Sequence, residues 1–351
     1  MKTLFKIFKN IVGIKKHILI REMYLKYFDS FVIYFYRPSI IIKKIIIMIK
    51  PKKKLLRSPL ILISQIQRSG GTLCSRLFDG HTKILSYPDE LKISTPKWKW
   101  NQFNRLYVQY NSIGNYARKK IYTKEDNAKW NKHYNFEFDI DKQRLLFNYF
   151  SKLNFQNDRH KLNSYFSSFF HSFKNYKDNK SLFNKKYVAA FCPRLNISKL
   201  SMEKFFKIYS DGFLITIIRH PENWFASAKL HAKKYSKANK ALKMWENSTN
   251  ASIELKKQFP DRVIIIHFEN LIKNPKKIMQ KICKIIDIKY EKIITTPTFN
   301  SKPILSNSSF KSKEGVIDKE VIKRNKRLKL QNRIIFKKYN ILYKNSKKFK
   351  I

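Results

Sequence analysis

The stretch Leu60-Ile-Leu-Ile-Ser-Gln-Ile-Gln-Arg-Ser-Gly-Gly-Thr-Leu-Cys-Ser-Arg-Leu-Phe78 changes character twice. Leu60 to Ile63 is a short apolar run, the pattern a strand buried on both faces requires, and Thr72 opens a segment with Leu73, Leu77 and Phe78 at helical spacing. Between them lies a polar turn with adjacent Gly70 and Gly71, in a chain of 351 residues that has only seven glycines. Strand, glycine turn and helix together make an anion cradle. Glycine lets backbone N–H groups crowd a phosphate with no Cβ in the way, and the helix N-terminus behind them carries about half a positive charge.

A nucleoside-triphosphate loop needs Gly-x-x-x-x-Gly-Lys-Ser/Thr, with the lysine on the β- and γ-phosphates. Ending that pattern at Thr72 puts Gln65 where the first glycine belongs and Gly71 where the lysine belongs. ATP and GTP are therefore the wrong nucleotides, which argues against a small-molecule kinase. What remains is Arg68-Ser69-Gly70-Gly71-Thr72-Leu73, which resembles the 5′-phosphosulfate loop of the sulfotransferases that use 3′-phosphoadenosine 5′-phosphosulfate (PAPS). The family commonly has Arg or Lys, Ser, Gly, Thr, Thr there, so Gly71 departs from the usual form.

Two further segments extend the resemblance. Phe213 to Ile218 reads as a buried strand and runs into Arg219-His-Pro-Glu-Asn-Trp-Phe-Ala-Ser227. Pro221 suits the first turn of a helix whose apolar face is Trp224, Phe225 and Ala228. An arginine, a proline two residues on and a serine eight residues on resemble the family's 3′-phosphate motif. Chemically the pairing is sound, because a phosphate takes a hydroxyl and a charge-assisted donor fork, and arginine supplies the fork better than lysine. Arg262 to Leu271, followed by Asn274-Pro275, resembles the strand, turn and helix that come next in the family, with Phe268 in place of the usual tyrosine. Pro297-Thr-Phe-Asn300 and Asn307-Ser-Ser-Phe310, with Gly315 nearby, resemble C-terminal segments of bacterial members, where a loop closes over the nucleotide. The resemblance spans residues 57 to 345.

It implies an α/β fold, a three-layer P-loop-like arrangement with a central parallel sheet, helices on both faces and a mainly helical acceptor-side insertion at 92–186. It also implies transfer of a sulfuryl group from PAPS, as co-substrate, to a hydroxyl of a carbohydrate or glycoconjugate, without a metal. On this resemblance, the backbone of residues 69 to 73 and Thr72 hold the 5′-phosphate, and Arg219 and Ser227 take the 3′-phosphate. Arg68 meets the charge on the leaving oxygen, electrostatically and not as an acid, because arginine keeps its proton at neutral pH. Tyr87-Pro-Asp-Glu-Leu91 resembles the acidic element that follows the loop in several members. Glu90 matches the base of that element, with Asp89 the adjacent alternative; partial desolvation in a cleft raises a carboxylate toward the working range. Arg194, after Cys192-Pro193, departs from the lysine–proline element common at that point.

The apolar patterning predicts strands at 60–64, 187–192, 213–218 and 262–267, and helices at 72–80, 199–209, 221–235, 239–258, 275–287 and 318–343. Alternating buried strands and helices make a parallel sheet covered on both faces, with ligands at the carboxyl ends of the strands. Within 92–186 the aromatics Trp98, Trp100 and Trp130 can stack on sugar rings or fill a core. His81 reads as part of a helix end, and His133, His160 and His171 have no motif around them.

The 75 Lys and Arg against 24 Asp and Glu give a formal charge of +51. Nucleic-acid binding must be weighed at such a charge, but the lysines are spread along the chain and no nucleic-acid signature accompanies them. A competing reading is a non-catalytic basic protein, binding nucleic acid or membrane on a degenerate phosphate-loop fold. Cys74, Cys192 and Cys283 lack metal-ligand spacing and indicate a reducing compartment. Residues 1–56 form a basic, apolar-rich extension whose bursts are interrupted by Arg37, Lys43 and Lys44, too short to span a bilayer at the ~18–20 residues required. Such a segment suits a membrane interface, and equally a helical extension packed on the catalytic domain. The expected location is cytoplasmic, with peripheral contact at the inner face of the membrane, and 346–351 forms a basic tail.

Overall fold

The structure, a computed structural model, describes residues 54–91, 138–152, 158–177, 182, 184–304, 313–327 and 333–351. Most of the N-terminal extension, Trp98, Trp100, Trp130, His133 and the 307–310 motif lie outside the described residues.

Five parallel strands form the central sheet: β1 (Leu60–Ile63), β2 (Ile84–Glu90), β3 (Tyr187–Phe191), β4 (Phe213–Ile218) and β5 (Val263–His267), in the order β2-β3-β1-β4-β5. Side chains alternate across a strand, and both faces of this sheet are covered. Leu60 and Leu62 enter one core with Leu214, while Ile61 and Ile63 enter the other with Ile215 and Ile217. A strand that must be apolar on both sides has no polar register to show, hence the unbroken runs in the sequence.

The first core is covered by α3 (Asp158–Ser172), α4 (Lys199–Ile208), α5 (Pro221–Ala228), α6 (Ala238–Gln258) and α9 (Arg333–Ser346). The second is covered by α1 (Gly71–Phe78), α7 (Phe268–Lys273) and α8 (Pro275–Ile285). In α8, Ile278, Met279, Ile282 and Cys283 point inward at helical spacing and its lysines point out, so burial of one stripe orients the helix. α2 (Ile140–Lys152) packs against α3, and a short antiparallel pair, β6 (Thr298–Phe299) and β7 (Lys302–Pro303), closes the described part of the chain before 313. The last residues return to the sheet edge, where Ile351 N–H donates to Ile265 O (3.1 Å). Cys74, Cys192 and Cys283 are buried free thiols, and burial pushes Cys74 up to about 12 and Cys283 to about 11. Among the described residues no helix is long and apolar enough to cross a membrane.

Three expectations need correction. Ile84–Glu90, which is not among the strands the patterning predicts, is the edge strand β2, which pairs with β3 over Ile84–Ser86, shifts register between Ser86 and Glu90, and resumes at Glu90 opposite Phe191. The helix expected over 221–235 stops at Ala228 because its apolar face runs out at His231, and the chain continues to a 3₁₀ turn at Lys233–Tyr235. The helix expected over 318–343 is a 3₁₀ segment, Lys319–Arg327, followed by α9, since Lys323 to Arg327 offer no apolar face to bury.

Candidate functional site

β1 lies between β3 and β4, so the loop after it opens at the carboxyl ends of all three strands. The loop is tied down on each side. Ser64 N–H donates to Ile215 O (2.9 Å), Ser64 Oγ to Cys192 O (2.6 Å), and Ile66 N–H to Ser248 Oγ (3.0 Å). Arg68 and Gly70 both have left-handed backbone, at φ 69 and φ 102. Gly70 is the N-cap of α1, whose first described bond runs from Cys74 N–H to Gly70 O (3.0 Å), and no side chain caps the helix. A Cβ on Gly70 would meet the Phe268 ring at 2.5 Å. Gly71 is excluded from having a side chain for another reason: a Cβ there would meet Gln65 Nε2 at 2.1 Å and the Phe191 ring at 2.3 Å. Around them Thr72 is exposed, Leu73 is buried, and Ser69 is buried with no hydrogen-bond partner for its hydroxyl among the described residues.

Arg219 stands at the end of β4 and is 3% exposed. Its Nη1 donates to Arg68 O (3.0 Å), its Nη2 donates to Val321 O (2.7 Å), and its guanidinium lies 4.5 Å from the centroid of the Phe268 ring. The phenylalanine that replaces a tyrosine thus provides a cation–π platform and a wall against Gly70. Ser227, on α5 and 2% exposed, accepts from Arg68 Nε at 3.4 Å. Burial lowers the Arg68 guanidinium from its usual value. The turn after Arg219 is held by Glu269, which accepts from His220 N–H (3.0 Å) and from Tyr343 Oη (2.8 Å).

Several participants were not evident from the sequence. Trp224 Nε1 donates to Gln67 O (2.8 Å) and Trp245 Nε1 to Arg219 O (2.9 Å), so one indole pins each motif's backbone. Gln67 Oε1 accepts from Lys234 Nζ (3.1 Å) and Tyr235 Oη (3.0 Å), which fastens the 3₁₀ turn to the loop. None of these has a local signature, because each acts across more than twenty residues of chain.

Glu90 is half-buried at the end of β2, where Leu91 N–H donates to Phe191 O (2.6 Å). It shares that corner with Arg194 and Lys234: burial, then Arg194, lower the Lys234 ammonium, and Glu90 acts in the opposite sense. Arg194 has φ 68, and its N–H donates to Gln65 O (2.9 Å). Asp89 lies in the same strand, with its side chain outside the described residues. His81, His160 and His171 each pair with a backbone carbonyl. His81 lies past the end of α1, fully buried, pairing through Nε2 with Lys289 O (2.9 Å), and burial lowers its pKa. His160 and His171 pair with the carbonyls of Phe150 and Lys54.

A family model described as the sulfotransferase family matches residues 59–292. No curated protein matches the chain. Among solved structures, the chain is similar to the sulfotransferase domain from the curacin biosynthetic pathway, at 16% identity and TM-score 0.44, covering 79% of this chain and 93% of that one. The sulfotransferase domain from the Synechococcus PCC 7002 olefin synthase gives 16% and 0.45, covering 80% and 92%. Sulfotransferase STF9 from Mycobacterium avium gives 12% and 0.40, covering 72% and 69%.

Proposed function

This chain belongs to the sulfotransferase family, and from that premise we propose that it moves a sulfuryl group from PAPS to a hydroxyl of a carbohydrate or glycoconjugate, with Glu90 as the base. The observation that supports the reading most is the meeting of two motifs 159 residues apart: Arg68 Nε reaches Ser227 Oγ and Arg219 Nη1 reaches Arg68 O. A nucleotide with phosphates at both ends of its ribose needs two anion sites side by side, and the meeting of the two motifs supports that arrangement.

The residues fit such a ligand on grounds independent of the resemblance. The glycine-bounded end of α1 has no side-chain cap, and among the described residues the buried Ser69 hydroxyl beside it has no partner, which an anion's oxygen would supply. In the proposed reaction the N–H groups of 69 to 73 with Thr72 hold the 5′-phosphate, while Arg219 and Ser227 hold the 3′-phosphate. The acceptor oxygen attacks sulfur in line, its proton passes to Glu90, and the bond from sulfur to the phosphate oxygen breaks with its electron pair left on that oxygen. Arg68 stabilises that charge without giving up a proton. Positioning and electrostatics supply most of the rate in such transfers, by analogy with phosphoryl transfer. The glycan class of acceptor follows the resemblance.

The test is transfer of labelled sulfate from PAPS across a panel of acceptors that includes cell-surface glycans, alongside calorimetric titration with 3′-phosphoadenosine 5′-phosphate (PAP). Micromolar PAP binding that Arg219→Ala and Ser227→Ala abolish supports the enzyme. Failure to bind PAP, together with tight, salt-sensitive binding of DNA, would establish the binding-protein reading instead.

A further inference from the structure

Gln65 is used by no step above. It stands two residues beyond β1, 1% exposed, and neither its amide nitrogen nor its amide oxygen has a hydrogen-bond partner among the described residues. A buried carboxamide with no partner is costly, and an apolar side chain of equal length would fill the same volume without that cost. Its position is informative. Nε2 lies 2.1 Å from where a Cβ on Gly71 would be, so the carboxamide occupies the volume of the side chain that residue 71 lacks. Residue 71 is the first residue of α1, next to the N-cap of the helix whose amides face the anion.

Resting on the reading that this loop holds the 5′-phosphate, we propose that Gln65 is a nucleotide-binding residue, its Nε2–H donating to that phosphate the side-chain hydrogen bond that a glycine at 71 cannot give. Two partnerless polar groups, Gln65 and Ser69, sit in one five-residue stretch of an anion loop, and a ligand oxygen satisfies both. Both are closed to solvent in the free protein, so the contact forms as the loop yields. Arg68, a non-glycine residue at φ 69, is a strained point of the same loop.

The experiment compares wild type with Gln65→Met, each titrated with PAP and with adenosine 3′-monophosphate, which has no 5′-phosphate, and each melted without ligand. Gln65→Met is expected to bind PAP about 10- to 100-fold more weakly, as for loss of a bond to a charged group, and to bind adenosine 3′-monophosphate as wild type does. Its ligand-free melting temperature is expected to equal or exceed that of wild type, because methionine removes the unpartnered amide. Gln65→Leu serves as a second variant with the same expected signs. Undiminished PAP binding overturns the role of Gln65 while leaving the nucleotide reading intact. Equal weakening toward both nucleotides with a lowered melting temperature also overturns it, since that is the mark of a scaffold residue. Wild type that fails to bind PAP overturns the nucleotide reading itself, and the inference with it.

Discussion

Gly70→Ala perturbs the site at one carbon atom, and its cost has two separable parts. The left-handed backbone at φ 102 costs an alanine about 1–2 kcal/mol. Contact of the new Cβ with the Phe268 ring at 2.5 Å forces the ring aside, at about 1–3 kcal/mol for overpacking in a close-packed interior. Together these predict a loss of about 2–5 kcal/mol, measurable by urea unfolding with linear extrapolation. Displacing Phe268 also withdraws the platform beneath Arg219, so PAP affinity is expected to fall with stability. A double-mutant cycle with Phe268→Ala isolates the steric part: the variants are expected to couple favourably by about 1–3 kcal/mol, leaving the backbone part in place. A Gly70→Ala protein within about 0.5 kcal/mol of wild type, or a cycle with no coupling, refutes the account of the loop.

Glu90→Gln is expected to lower turnover about 10²- to 10⁴-fold with PAP affinity unchanged, and Asp89→Asn to leave turnover within a few-fold; the opposite result in steady-state assays assigns the base to Asp89. Arg219→Lys keeps the charge but loses the fork and the planar stacking on Phe268, so PAP affinity by calorimetry is expected to fall on the order of tenfold, and an unchanged affinity removes Arg219 from the 3′-phosphate site. Burial, with Lys350 and Lys347 adding to it, holds His267 down to about 4. The unfolded chain then binds more protons than the folded one between about pH 6.5 and 4. Stability is expected to be full above that window and to decline through it as pH falls, by up to about 3 kcal/mol. Unfolding measured across the window in wild type and His267→Gln checks this, and equal slopes in the two contradict it.

The strands that could be read from the sequence were those buried on both faces. β4 begins and ends where its apolar run does, because nothing else in the chain competes for Phe213 to Ile218. β2 escaped because its pairing is interrupted between Ser86 and Glu90 and its apolar residues are only Ile84, Leu85 and Tyr87, too few to set a period. Arg68, Gly70, Arg219 and Ser227, the residues proposed for the site, could be picked out because each belongs to a local pattern of strand end, turn and helix start. Gly71 was readable as an irregularity but not as a consequence. Its reason is a contact with Gln65 and Phe191, the latter 120 residues away on β3, and no local spacing encodes that. The two indoles likewise looked like core residues, and they are, but one polar atom of each is spent on a motif carbonyl.

Where the charge sits decides how an anion is selected on a surface this basic. Exposed lysines such as Lys243, Lys257 and Lys323 pair with neighbouring glutamates at 2.8–2.9 Å, weak solvated contacts, and their charges are screened beyond about 8 Å at physiological salt. They raise the local concentration of any polyanion and distinguish none. Arg68 and Arg219 differ in kind. They are withdrawn from water, Arg219 almost entirely, and held by carbonyl and hydroxyl contacts, so their charges act at fixed positions in a medium that screens little. On the proposed reading, discrimination between one phosphate and two on the same nucleotide comes from this fixed pair, and their spacing is set by the sheet order that puts β1 beside β4. High salt should therefore slow the arrival of the nucleotide far more than it erodes the preference for a 3′,5′-bisphosphate over a monophosphate.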